Sequence, residues 1–269
     1  MRAIFSDLDG SLHDSQRGFH PDDYASLKAL QGTALRVIIT GRSLHSALSI
    51  LDPTFPIDYL IFASGAGVME WSRQQLLFEA GLSAAETHQV VELLHALKLD
   101  FMLHDPIPDN HCFQYHCFSD DNPDFSHRLH LYQHVARPFQ PTENLSACAA
   151  LAIVSADQTA SCFTELQAAL PELSIIRATS PLNLHSGWLE IFPGHISKSQ
   201  AAERLSQLLG IQEHMAFGND YNDQDLLGWA QRAFVVADAP EPLRQRFEVV
   251  PRPSEAGFSQ ALRRWLKEH

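Results

Sequence analysis

Cysteine is scarce in this chain: four in 269 residues, Cys112, Cys117, Cys148 and Cys162, with no CxxC pair. That leaves no disulfide framework to read, and reduced thiols are expected. His111-Cys112 and His116-Cys117 form a repeated pair suggestive of zinc. Ligands five apart on a strand face opposite sides, however, and no second ligand pair follows at zinc spacing, so no zinc is expected. Positive charge is short as well, with 19 Lys and Arg against 32 Asp and Glu and a formal net charge of −13. So acidic a chain argues against binding nucleic acid or acidic membranes through bulk electrostatics. It does not argue against a small anionic substrate, whose field would be set locally. No apolar run approaches membrane-spanning length, and Met1-Arg2 leads into a strand-like run rather than a signal peptide. A cytoplasmic protein is expected, with no nucleic-acid or membrane partner. Internal repeats and low-complexity stretches are absent too. With 45% hydrophobic residues, the length suffices for a full core and a second domain.

What is present is concentrated at strand ends. Ala3-Ile4-Phe5-Ser6 reads as a buried strand that stops at Asp7-Leu8-Asp9-Gly10-Ser11. Alternation along an extended chain sends Asp7 and Asp9 to one side. Two like charges so close are costly unless a cation or proton lies between them. A plain strand-to-turn junction uses the same residue types. Far along the chain, His214-Met215-Ala216-Phe217 reads as another strand and ends in Gly218-Asn219-Asp220-Tyr221-Asn222-Asp223. Four oxygen-bearing side chains in five residues suit a hard cation such as Mg2+. They would also serve a polar turn capping the helix that begins at Gln224.

Two features between these clusters suit phosphate. Val37-Ile38-Ile39 runs into Thr40-Gly41-Arg42-Ser43, which offers a hydroxyl, a glycine and a guanidinium. Ser197-Lys198-Ser199-Gln200 opens a helix whose apolar face is Ala201, Leu205, Leu208 and Leu209, with Ser197 and Gln200 spaced as a capping box. Lys198 in that first turn opposes the helix dipole, so an anionic partner is expected for it, a solvated surface lysine being the alternative.

In that order, Asp7-Leu8-Asp9-Gly10-Ser11, Thr40-Gly41-Arg42, Lys198 and Gly218-Asn219-Asp220-Tyr221-Asn222-Asp223 resemble the four motifs of haloacid dehalogenase-like phosphatases, over nearly the whole chain. The long interval from Thr40 to Lys198 is similar to that of the Cof-type subfamily IIB, which carries a large C2-type cap there. Within it Thr40-Gly41-Arg42-Ser43-Leu44-His45-Ser46-Ala47 most resembles sucrose-phosphate phosphatases and related sugar phosphatases. The resemblance implies an α/β fold, a Rossmann-like three-layer core with a parallel sheet plus an inserted α/β cap. Alternating strand and helix patterns agree. Core strands are expected near Ala3 to Ser6, Arg36 to Ile39, Tyr59 to Ala63, Leu189 to Phe192, Met215 to Phe217 and Ala233 to Ala237. The core is expected over 1–81 and 186–269, and the cap, which would set substrate specificity, over 82–185.

The resemblance also implies roles. Asp7 would be the nucleophile that forms an aspartyl-phosphate, and Asp9 the general acid and base. Lys198 would complete the catalytic set, and Ser11, Thr40, Gly41 and Arg42 would hold phosphate or substrate. Mg2+ would be held by Asp7, Asp9, Asn219, Asp220 and Asp223, with Asn222 behind them. A Mg2+-dependent phosphatase of a small phosphorylated metabolite, a sugar phosphate by resemblance, is expected as a monomer or small homo-oligomer. The other readings are a phosphotransferase or a non-catalytic phosphometabolite-binding protein on the same fold.

The chain departs from the family at three places. Asn219 stands where an aspartate usually follows the glycine, Ser64 where relatives often carry asparagine, and Cys112 where sucrose phosphatases have a lysine just upstream of Tyr115-His116. The cap is rich in histidine. Of these, His111 and His116 are the candidates to face a substrate, with Asn183 and His185 at the return to the core.

Overall fold

The structure, a computed structural model, describes residues 1–119, 121–142, 145–180, 182 and 186–267. Asn183 and His185 lie outside the described residues. Two compact units emerge, residues 1–42, 47–78 and 197–269 in the first, 43–46 and 79–196 in the second. Among the described residues no helix is long and apolar enough to cross a membrane.

The first unit is built on an eight-stranded sheet. Its spatial order is Glu248–Val250, Arg232–Val236, Glu213–Gly218, Arg2–Asp7, Leu35–Ile39, Tyr59–Phe62, Gly67–Glu70, Gln75–Glu79. Pairings across the first six strands are parallel, and Gly67–Glu70 joins antiparallel. Five of the six strands expected here form, the exception being the one near Leu189, and they are apolar on both sides because helices cover both faces. The helix Gly257–Lys267 shows how. It buries Phe258, Ala261, Leu262 and Trp265 at helical spacing, each large side chain worth about 1.5–3 kcal/mol of burial. Arg2–Asp7 sits centrally, with later strands to one side and Leu35–Ile39 and Tyr59–Phe62 to the other. Chain order reverses beside it, and ligands gather at the carboxyl ends of strands at such a point.

The second unit has a six-stranded sheet, ordered Ala136–Pro138, Phe113–His116, Phe101–His104, Ala149–Val154, Gly187–Pro193, Leu173–Thr179. Helices Ala84–Ala96 and Thr159–Ala169 send Val90, Leu94 and Leu166 onto one face, against Phe101, Leu103, Leu189 and Ile191. The opposite face packs Phe125, from the helix Pro123–Leu131, with Met102, Phe113, Leu151, Ile153 and Trp188. The strand expected near Leu189 to Phe192 in the core is therefore a correction. It runs antiparallel to both of its neighbours in this second sheet. Central strands covered on both faces read as apolar runs whichever sheet they join, so the pattern alone misassigned it. Glu79 and Ile196 bound the long stretch of this second unit, which also takes in residues 43–46.

Candidate active site

Asp7 is the last residue of the central strand, 4% exposed. Its Oδ1 accepts a 2.7 Å hydrogen bond from Lys198 Nζ, and Lys198 donates a second, 2.6 Å, to Asp223 Oδ1. Lys198 is wholly buried for a local reason. Its helix, Lys198–Leu209, buries Lys198, Ala201, Ala202, Leu205 and Ser206, so the lysine occupies the first place on the inward stripe. The Ser197 hydroxyl accepts from the Gln200 N–H, which fixes where the helix starts, and Gly210 ends it in the left-handed region. Asp223 passes the arrangement on: its Oδ2 accepts from the N–H groups of Asn219 and Asp220, at 2.8 and 3.1 Å. One ammonium thus ties the end of the first strand to the turn after Gly218.

Electrostatics follow from that sharing. Burial works against the charge on Lys198, but Asp223 and Asp7 outweigh it and push its pKa up. Burial first, and the charge of Asp223 second, push the Asp7 carboxyl up to about 7, with Lys198 pulling the other way. Asp7 is short of positive charge even with a lysine in contact.

Asp9 and Arg42 form a fork-to-fork pair. Arg42 Nε donates to Asp9 Oδ2 at 2.6 Å and Nη2 to Oδ1 at 2.7 Å. The sequence placed Arg42 with phosphate; in the structure these two donors are on Asp9. His13, not foreseen, brings Nδ1 to 3.8 Å from Asp9 Oδ1. Ser11, expected at the ligand, is wholly buried and donates to Asn219 Oδ1 at 3.2 Å. Its hydroxyl orients that carboxamide from behind. Asn219 lies so close over Gly10 that a Cβ there would fall 2.4 Å from Asn219 Nδ2, and Gly10 has φ +74. Only glycine fits.

Thr40 is buried after its strand, and its Oγ1 accepts from the Arg42 N–H at 3.1 Å. This turn is zipped to the next strand end, since Ser64 N–H donates to Thr40 O and Ala63 N–H to Arg42 O. A Cβ on Gly41 would lie 3.4 Å from Ser64 Oγ and 3.9 Å from Asn222 Nδ2. Asn222 and Ser64 therefore flank the glycine of the Thr40 turn. Ala63, Ser64 and Gly65 all have positive φ, at 47, 54 and 111°. Two non-glycine residues in the left-handed region mark stored strain, which the sequence showed only as an unusual Ser-Gly-Ala. Gly65 is required there, because a Cβ would sit 2.4 Å from the carbonyl oxygen of Ser197. Gly65→Ala is expected to cost at least about 1–3 kcal/mol from the backbone alone. It should also lower turnover, because the clash displaces the helix start that carries Lys198. Denaturant midpoints and phosphate release on the purified variant check both.

Asp7, Asp9, Thr40, Gly41, Arg42, Lys198, Asn219, Asp220, Asn222 and Asp223 thus come from strand ends and helix starts of one unit. In the second unit, His116 stacks on Phe101 and lies 4.5 Å from His95, within an aromatic cluster that includes Phe118. His111 places Nε2 3.5 Å from Cys112 Sγ.

Both oxygens of Asp223 and both of Asp9 are engaged within the protein, the latter by Arg42. What remains beside Asp7 is the Asn219-Asp220 turn, an oxygen-bearing set of the type a hard cation such as Mg2+ takes, although among the described residues no three Asp, Glu, His or Cys side chains are gathered as a metal site.

Residues 4–262 match the sequence model of a family described as haloacid dehalogenase-like hydrolase. A Haemophilus influenzae protein provisionally named as a phosphatase is 24% identical over 256 residues, 93% of this chain and 92% of that one. An HMP-PP phosphatase of Yersinia enterocolitica is 35% identical over 83 residues, 29% of this chain and 30% of that protein. Among solved structures, a haloacid dehalogenase subclass IIB sugar phosphatase superposes with TM-score 0.77 at 18% identity, covering 98% of this chain and 99% of its own. A phosphatase of the same superfamily from Bacteroides thetaiotaomicron gives 0.79 at 18% identity, over 98% and 95%. At that identity these two likenesses speak to the fold.

Proposed function

The chain belongs to the haloacid dehalogenase-like hydrolases, and on that premise we propose that it is a Mg2+-dependent phosphatase of a small phosphorylated metabolite, a sugar phosphate, working through an aspartyl-phosphate. The observation that carries this reading is the buried ammonium of Lys198 shared by Asp7 and Asp223 at the carboxyl end of the central strand. Lys198 holds one oxygen of Asp7, and no hydrogen bond from a described residue engages the other, Oδ2, which is the attacking atom.

Asp7 Oδ2 forms a bond to phosphorus as the bond from phosphorus to the leaving oxygen breaks, and Asp9 gives that oxygen a proton. Water then attacks the phosphorus of the aspartyl-phosphate and returns a proton to Asp9. Phosphate leaves, and the Asp7 carboxylate is regenerated. Two carboxylates are needed because one is consumed covalently while the other moves protons. The fork from Arg42 occupies both oxygens of Asp9, so Asp9 must turn away from Arg42 before it can hold a proton for the leaving group. Thr40 and Gly41 would form the phosphate cradle, joined by Arg42 once its fork leaves Asp9, with Asn222 and Ser64 flanking Gly41.

Asp7, the backbone carbonyl of Asp9 and the Asn219-Asp220 turn would hold Mg2+. Asp223 would act from behind, since both its oxygens already accept hydrogen bonds. When bound, Mg2+ supplies the positive charge that offsets repulsion between carboxylate and phosphate and orients the phosphoryl group. Asn219, neutral where the resemblance implies aspartate, makes the set less charged, and Ser11 fixes its oxygen in compensation.

The experiment is phosphate release from sugar phosphates, nucleotides and p-nitrophenyl phosphate, with Mg2+ and with EDTA. Turnover that needs Mg2+ and is abolished by EDTA is expected, with sugar phosphates ranked first. Failure on every substrate, with a metabolite still raising Tm, would replace this reading by that of a binding protein.

A further inference from the structure

The turn that carries Asp9 also buries a ring nitrogen beside it. After Asp9 the chain folds back: the N–H groups of Leu12 and His13 donate to Leu8 O at 3.0 and 2.8 Å, and the Gly10 N–H donates to His13 O at 2.9 Å. His13 then opens a two-residue strand, His13–Asp14, paired antiparallel with Gly18–Phe19. Asp14 closes that hairpin, its Oδ1 accepting from the Gln16 and Arg17 N–H groups at 2.8 and 2.9 Å. The pairing sets the His13 ring edge-on to Phe19, 4.9 Å between centres, and Phe19 packs in turn on Phe55 at 4.6 Å. Backed by these two phenyl rings, the imidazole is held in one place.

Among the described residues the buried Nδ1 of His13 has no hydrogen-bond partner, and Asp9 Oδ1 stands 3.8 Å from it. That is about 1 Å beyond hydrogen-bond length. A buried polar nitrogen left unpaired is costly, and a leucine would pack on the same phenyl rings without that cost. The cost has a reason if the partner arrives during the reaction. Burial, the largest influence on it, lowers the His13 pKa against the pull of Asp9, so the ring is neutral near pH 7. Asp9 has the complementary need. The Arg42 fork grips both of its oxygens and, being charged, favours the ionised carboxylate. A general acid must instead carry a proton on one oxygen and present it to the leaving group. A neutral donor that engages a single oxygen permits this, and the approach of Nδ1 is to Oδ1.

We propose that His13 is a positioning residue for Asp9: when Arg42 lets go, the Nδ1–H of His13 donates to Asp9 Oδ1. Asp9 Oδ2 is then free to give its proton to the leaving oxygen and to take one from the hydrolytic water. Only Asp9 gains and loses a proton in this cycle, and the His13 ring stays neutral throughout. The catalytic value of the contact rests on the phosphatase reading above; the contact itself does not.

Two measurements on the full chain test this. In a crystal structure of Arg42→Met, Asp9 Oδ1 is expected within about 3.2 Å of His13 Nδ1. A carboxylate that turns to solvent instead overturns the proposal. In kinetics, His13→Leu keeps an apolar side chain against Phe19 and removes the donor. Its kcat/KM should fall about tenfold further for a sugar phosphate than for p-nitrophenyl phosphate, the scale of one lost hydrogen bond. The alkoxide of a sugar needs a proton to leave, whereas p-nitrophenolate does not. His13→Asn, whose amide N–H can donate from near the place of Nδ1, should recover most of that difference. Equal losses on both substrates, or no loss, would make His13 a packing residue alone and overturn the proposal. If the wild-type chain turned over neither substrate, the phosphatase reading would fall, and the Arg42→Met structure would still decide whether His13 receives Asp9.

Discussion

Asp7→Asn is expected to lower phosphate release by roughly four to six orders of magnitude, the scale on which removal of a covalent nucleophile acts, while the chain still folds. The amide keeps the shape of the carboxylate, and its oxygen can still accept from Lys198. Phosphate binding should therefore survive, and a thermal shift by inorganic phosphate in the variant would show it. Near-normal turnover would rule out the covalent route. The same substitution should reveal the cost of the charge. In the wild type, burial and Asp223 raise the Asp7 carboxyl to about 7, above its value in the unfolded chain. Between about pH 4 and that value the folded state binds more protons than the unfolded one, so this group's contribution to stability declines as pH rises through the window. Asp7→Asn removes that decline. In EDTA, the Tm of the variant relative to the wild type should thus increase from about pH 4 to about pH 7, and added Mg2+ should shrink the difference by stabilising the ionised wild-type carboxylate.

The ends of strands were legible because the chain announces them: an apolar run that stops at Asp7 and Asp9, another that stops at Thr40, and a third that stops at Gly218. Local rules sufficed for Lys198 as well, since the Ser197 cap sets the helix start and thereby puts residue 198 on the inward stripe. Pairings between distant segments were not legible. Nothing in the sequence near Arg42 says that its fork lies on Asp9, or near Ser11 that its hydroxyl turns inward to Asn219, 208 residues away. Ser64 stood out only as a departure from the resemblance, its strain being a matter of backbone angles that residue types do not show, and the strand Gly187–Pro193 was misplaced because its neighbours, not its own pattern, decide which sheet it joins. The sequence-level reading and the structure part company where long-range packing overrides local preference, and two of those places, Arg42 with Asp9 and the turn at Ser64, adjoin the proposed chemistry.

Lys198→Met is expected to damage stability and activity together, and the two losses can be separated. Methionine is apolar and of similar length, so it fits the buried stripe with Ala201, Ala202 and Leu205. It leaves Asp7 and Asp223, each formerly within 2.7 Å of the ammonium, as buried like charges with nothing between them. Breaking a buried pair by removing one partner costs about 3–5 kcal/mol, and a lower midpoint in denaturant, measured in EDTA, should show it. Turnover should fall at least about tenfold to a hundredfold, the worth of one lost charge-assisted hydrogen bond to Asp7 or the phosphoryl group. Adding Asp223→Asn removes one of the two stranded charges. The double variant should regain much of the stability, because neutral asparagine can still accept from the Asn219 or Asp220 N–H through its amide oxygen. It should regain none of the turnover, since the cation that holds Asp7 for attack is still missing. If activity returned with stability, Lys198 would be a structural residue that only keeps the carboxylates apart. If stability returned alone, the ammonium would have a direct part in the chemistry, in addition to joining the strand end to the turn after Gly218.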